Sequence, residues 1–187
     1  MTHPPTLPLD TALLVIGYGN PLRNDDGAGP RVADLIESLH LPNVRTLAPH
    51  QLAPEHAASI SRARLVIFVD ASVPPGSAEF PLGRRREAPP ESPNPPSGNL
   101  ALPDSPIHLR KLTPGATTQL LAHAADPQTL LALARDVYGR APEAWWLTIP
   151  AQQLGFGTDY SPAAEAGVHA AVTEIQRIAA DSITPQT

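Results

Sequence analysis

The sequence contains no cysteine, and only 4% of its 187 residues are aromatic. The first absence excludes disulfides, thiolate metal sites and a cysteine nucleophile, and it fits a reducing compartment weakly. No apolar run approaches the ~20 residues that a membrane-spanning helix needs, so no membrane partner is expected. The opening MTHPPTLPLD lacks the basic and then apolar order of a secretory signal, which makes a cytoplasmic location the expectation. Basic charge is in short supply as well: 13 Lys and Arg against 18 Asp and Glu leave a formal net charge of −5. That balance argues against non-specific nucleic-acid binding, which basic residues drive. Three catalytic signatures are also missing. Without GxSxG, HExxH or GxxxxGK[ST], the serine-hydrolase, zincin and P-loop readings have no support.

The residues present describe one soluble domain. Hydrophobic content of 42% is that of a globular protein, and the length suits one well-buried core better than two. Ala12–Ile16 (ALLVI) is a short apolar run and reads as a buried strand, broken by the turn cluster Gly17-Tyr18-Gly19-Asn20-Pro21. From about Gly27, the residues Val32, Leu35, Ile36 and Leu39 recur at helical spacing until Pro42. A weaker strand is expected at Val44–Leu47 and a short helix at Pro54–Arg62. The strongest strand signal is Arg64–Asp70 (RLVIFVD), with Asp70 at its carboxyl end. Further strands are expected at Ile107–Leu112 and Trp145–Ile149, and helices at Asp126–Tyr138 and about Ser161–Ala180. Asp126 suits an N-cap and Pro127 a first helical turn. Strands alternating with helices imply a three-layer α/β/α domain, its twisted, mostly parallel sheet covered on both faces.

Many of the 24 prolines fall between about Pro74 and Pro106, among Ser, Gly and Arg. Such composition cannot bury a core, so this stretch reads as a flexible surface insertion. Its Arg84–Arg86 run is either a solvated loop tip or a contact for an acidic partner.

Chemistry-bearing residues gather at one edge. In an open α/β sheet, ligands bind beyond the carboxyl ends of the strands. Asp25 and Asp26 follow the turn after the first strand, Asp70 ends the RLVIFVD strand, and His123 precedes a helix. Two carboxylates and an imidazole suit a divalent ion such as nickel or zinc, and equally suit general acid–base work. Each also has a plainer role open to it. Asp25 and Asp26 can favour the helix start at Gly27, Asp70 can accept from loop amides, and His123 can be a surface histidine. A dinucleotide fingerprint is excluded, because the third glycine of GxGxxG is replaced by Leu22 and no acid ends the second strand. Gly17 and Gly19 are better read as permitting a tight turn, with Asn20 bonding within it.

The segment LLVIGYGNPLRNDDGAGPRVADLI resembles the opening signature of the nickel–iron hydrogenase maturation proteases. The matching features are Gly17-Tyr18-Gly19-Asn20, Leu22, the acidic pair Asp25-Asp26, and Gly27 with Gly29. RLVIFVDAS is similar to that family's aspartate-ending strand, HAADPQTLLALA to its histidine-then-helix segment, and PAQQLGFGTDYSP to its late pattern. The resemblance implies metal contacts at Asp26, Asp70 and His123, which would also be the catalytic set. It implies an endopeptidase that removes the C-terminal extension of a hydrogenase large-subunit precursor after nickel insertion. The nickel then belongs to the substrate and is bound transiently, and the enzyme is expected to act as a monomer. A non-catalytic nickel-site chaperone of the same fold is the alternative; a spore-type germination protease fits less well, given the short chain. The family's Gly/Thr-rich stretch is replaced here by Ala48-Pro49-His50-Gln51-Leu52, leaving His50 and Gln51 as candidates for lining the cleft.

Overall fold

The computed structural model describes residues 11–73, 106–115 and 126–183. The Pro-rich stretch up to residue 105, with Arg84–Arg86, and also His123 lie outside the described residues. The elements in chain order are β1 (Thr11–Gly17), α1 (Ala28–Ser38), β2 (Val44–Leu47), α2 (His56–Ser61) and β3 (Ala63–Ser72), followed by β4 (His108–Leu112), α3 (Pro127–Tyr138), β5 (Glu143–Pro150) and α4 (Pro162–Ile183). A single five-stranded sheet runs β2-β1-β3-β5-β4, with β4 alone antiparallel, at the edge beyond β5.

The period-2 alternation of the strands explains the layering. Leu13 and Val15 of β1 and Ile67 and Val69 of β3 face one side, where they pack with Val32 and Ile36 of α1 and Ala171 and Ile175 of α4. Leu14 and Ile16 with Val66 and Phe68 face the other, against Ile60 of α2 and Leu130, Leu131 and Ala134 of α3. Both faces of β1 and β3 are therefore dry, which is why ALLVI and LVIFV read as unbroken apolar runs. At the α3 start, Asp126 caps the helix by accepting from the Thr129 N–H at 3.3 Å, and Pro127 occupies the first turn as its sequence position suggested.

Edge strand β4 carries Arg110 and Lys111, which stack over Trp146 and Trp145 at 5.0 and 5.7 Å. Charged side chains on an edge discourage pairing with another chain.

The order 2-1-3 places a switch point at β1. From β1 the chain crosses over α1 to β2 on one side, then over α2 to β3 on the other. The carboxyl ends of β1 and β3 thus diverge above a crevice, the position where such sheets bind ligands. Helix α1 comes down on this end very closely. A Cβ on Gly29 would lie 2.6 Å from the carbonyl oxygens of both Tyr18 and Val69, and one on Gly17 would lie 1.9 Å from Gly29 O. Gly17 ends its strand rather than making the turn, and its missing side chain is what lets α1 approach. Gly29→Ala is expected to lower stability by about 2 kcal/mol and Tm by about 5 °C, because overpacking against two backbone carbonyls outweighs the ~1 kcal/mol gain in helix propensity. A thermal melt with an unchanged midpoint would show that α1 does not pack this closely.

Candidate functional site

The turn after β1 is built by Gly19 and Asn20. Gly19 has φ 142°, and a Cβ on it would meet Asp26 O at 1.9 Å, so only glycine fits. Asn20 bonds twice within the loop. Its Oδ1 accepts from Leu22 N–H at 2.9 Å, an Asx turn, while its own N–H donates to Asp26 Oδ2 at 3.0 Å. Asp26 is thereby fixed beside the turn in a half-buried position. The bond uses one of the roughly four acceptor positions that an ionised carboxylate has.

Asp70 comes to the same end from the neighbouring strand. Tyr18 N–H donates to Val69 O at 3.1 Å, and Gly17 is the last β1 residue in register with β3, paired with Val69. Asp70 therefore stands one step past the end of β1, in register with Thr148 of β5, and is 8% exposed. Asp26 lies in the short helical turn Asn24–Gly27 that follows β1, and Asp70 lies within the neighbouring β3, two residues before its end at Ser72. The third proposed ligand, His123, lies outside the described residues, and among those described no three His, Asp or Glu side chains cluster as an ion site.

The two members of the acidic pair have opposite fates. Asp25 is 0% exposed, and neither aspartate caps α1 through its side chain. Asp25 Oδ2 accepts from Gln152 N–H at 2.7 Å, Gln153 N–H at 2.8 Å and Ser161 Oγ–H at 2.8 Å, while Oδ1 accepts from Ser161 N–H at 2.7 Å. Burial alone would raise its pKa, but these donors more than offset it and hold the carboxyl below its ordinary value. Both oxygens are committed, so Asp25 is a structural anchor and Asp26 is the member open to chemistry. Sequence reasoning missed this anchor because all its partners lie more than 125 positions away, between β5 and α4.

Further bonds join the same two loops. Arg23 Nε and Nη2 donate to Leu154 O at 3.2 and 3.1 Å, Asn24 N–H donates to Gly157 O at 2.9 Å, and Tyr160 O–H donates to Gly27 O at 3.1 Å. Burial raises the Tyr160 pKa, so the phenol keeps the proton it donates. Beside the turn lies a cavity of about 220 Å³, lined by residues that include Gly19, Arg31, Asp34, His50 and Tyr160. Gly19 N–H donates to Pro49 O at 3.4 Å, which draws the β2–α2 loop to this edge. His50 thus lines a cavity at the site's border, while Gln51 is exposed and is not part of that lining.

Comparison with solved structures places this architecture. The chain superposes on the hydrogenase maturating endopeptidase HybD from E. coli with a TM-score of 0.59, at 17% identity over 92% of this chain and 94% of that one. The [NiFe] hydrogenase maturation protease HycI from Thermococcus kodakarensis gives 0.58 at 16% identity, over 93% and 94%. A hydrogenase 2 maturation peptidase from Thaumarchaeota archaeon SCGC_AB-539-E09 gives 0.53 at 24% identity, over 90% and 97%. The fold is that of the hydrogenase maturation proteases. No family model matches the sequence, and no curated protein matches it. The maturation-protease fold accounts for the five-stranded sheet, its helical layers and the crevice between β1 and β3. No helix among the described residues is long and apolar enough to cross a membrane.

Proposed function

We propose that this chain is a cytoplasmic, monomeric endopeptidase that removes the C-terminal extension of a nickel–iron hydrogenase large-subunit precursor once nickel has been inserted. What supports the reading is a maturation-protease fold in which Asp26 follows β1 in a turn held by Asn20 and Asp70 lies near the carboxyl end of the adjacent β3. Nickel is part of the substrate in this reading. Asp26, Asp70 and His123 complete its open coordination positions, a donor set suited to a divalent ion of borderline hardness. Each such contact contributes a few kcal/mol, so together they separate loaded from empty precursor by orders of magnitude. When bound, the ion supplies Lewis acidity toward the scissile carbonyl or an attacking water. The chain's own part is to dock the precursor, hold Asp26 through the Asn20 N–H, and offer Asp26 or His123 as a general base.

The test is incubation of purified chain with precursor prepared with and without nickel, followed by intact-mass measurement. Only the loaded precursor is expected to lose its C-terminal segment. Tight binding of loaded precursor without any shortening would instead make the chain a nickel-site chaperone. Neither binding nor shortening would remove both readings.

A further inference from the structure

We infer that Leu22 and Phe156 form a pre-organised apolar lip that grips an apolar side chain of the polypeptide substrate beside the scissile bond. Leu22 is 60% exposed and Phe156 93% exposed, and neither contributes to the two cores. Their backbones are nevertheless one hydrogen bond apart, Gly157 N–H donating to Leu22 O at 3.0 Å, beside the bridge between Arg23 and Gly157.

The loops carrying them have little freedom left. Asn24 N–H donates to Gly157 O at 2.9 Å, Asp159 N–H to Asn24 Oδ1 at 3.1 Å, and Asp25 N–H to Gln153 O at 3.0 Å. Arg23 adds its two bonds to Leu154 O, and the buried Asp25 carboxylate clamps the ends of the Gln152–Ser161 stretch. An exposed phenylalanine on a mobile loop tip would be ordinary. On a loop this heavily cross-braced it presents apolar surface on a backbone whose ordering entropy has already been lost in folding, which favours binding. Aromatic side chains are also enriched in the contact cores of protein interfaces.

The occupant follows from position. Leu22 N–H bonds to Asn20 Oδ1, and Asn20 N–H bonds to Asp26 Oδ2, so the lip is continuous with the turn that holds a proposed site carboxylate. This position puts the lip beside a polypeptide that is bound at Asp26. The inference rests on the proposed protease reading, and its test separates the two.

The experiment uses the full chain and its Leu22→Ser and Phe156→Ser variants. Fluorescence anisotropy gives the Kd for a labelled peptide spanning the precursor's cleavage region, and nickel-loaded precursor gives KM and kcat. Full burial of either side chain corresponds to a loss of about tenfold or more in affinity. Each variant is expected to raise Kd and KM about tenfold, with kcat within a factor of two and an unchanged Tm. Unchanged Kd and KM in both variants would overturn the lip. So would a wild-type dimer, seen by sedimentation, that Phe156→Ser converts to monomer without altering peptide affinity. Peptide binding that depends on Phe156 with no cleavage by the wild type would keep the lip and reject the protease reading.

Discussion

Replacing Asp70 with Asn, or His123 with Ala, is expected to slow processing of nickel-loaded precursor by at least about 100-fold while leaving the chain folded, because each ligand to a divalent ion contributes a few kcal/mol. Asp70→Asn is the more informative of the two. It preserves the shape of a residue that is 8% exposed near the carboxyl end of β3, while removing the charge that favours a cation. Asp26→Ala is less clean, since it also strips the Asn20 N–H of its acceptor and loosens the turn. Binding and cleavage measured together separate the possible roles. A variant that holds loaded precursor as tightly as the wild type yet fails to cut it has lost a proton-transfer group. A variant that no longer distinguishes loaded from empty precursor has lost a contact to the ion. Wild-type rates from both Asp70→Asn and His123→Ala would remove the site altogether.

The legibility of this protein in its sequence follows the range of its interactions. ALLVI and RLVIFVD were readable as central strands because burial on both faces leaves an unbroken apolar run. The caps of α3 were equally local, with Asp126 bonding only three residues ahead. The strand that carries Asp70 was legible in the same way, although it runs two residues past Asp70, to Ser72. What the sequence hid was the division of labour within Asp25-Asp26. Two adjacent residues in a tight helical turn point in different directions, and only the fold reveals which one meets the β5–α4 loop. The same holds for Gly17, whose partner Gly29 lies on another element, and for Phe156, whose bracing comes from residues around Asn24. In each of these cases the determining contact crosses between segments far apart in the chain, where neither periodicity nor turn chemistry carries a signal.

The second large effect is expected at Asp25, and it concerns stability and pH. Asp25→Ala strands the part-buried N–H groups of Gln152 and Gln153 and the buried N–H of Ser161, at about 1–3 kcal/mol for a donor left unpaired, for a loss of about 3–5 kcal/mol and roughly 10 °C in Tm. The carboxyl's pKa in the folded chain lies below its ordinary value of 3.8. Its stabilising contribution is therefore fully present above that value and is lost as pH falls through the folded pKa. Tm of the wild type should accordingly fall more steeply below about pH 4 than that of Asp25→Asn, which lacks the titrating group but keeps its shape. Because Asp25 clamps the loop bearing Phe156 to the turn bearing Asp26, Asp25→Asn should also raise KM at temperatures where it remains folded. A melt of Asp25→Ala within about 2 °C of the wild type at neutral pH, a shift of about 1 kcal/mol or less, would mean that water replaces the carboxylate at little cost. The two loops would then be held by the Arg23, Asn24 and Tyr160 bonds together with the backbone bonds of Asp25 and Leu22.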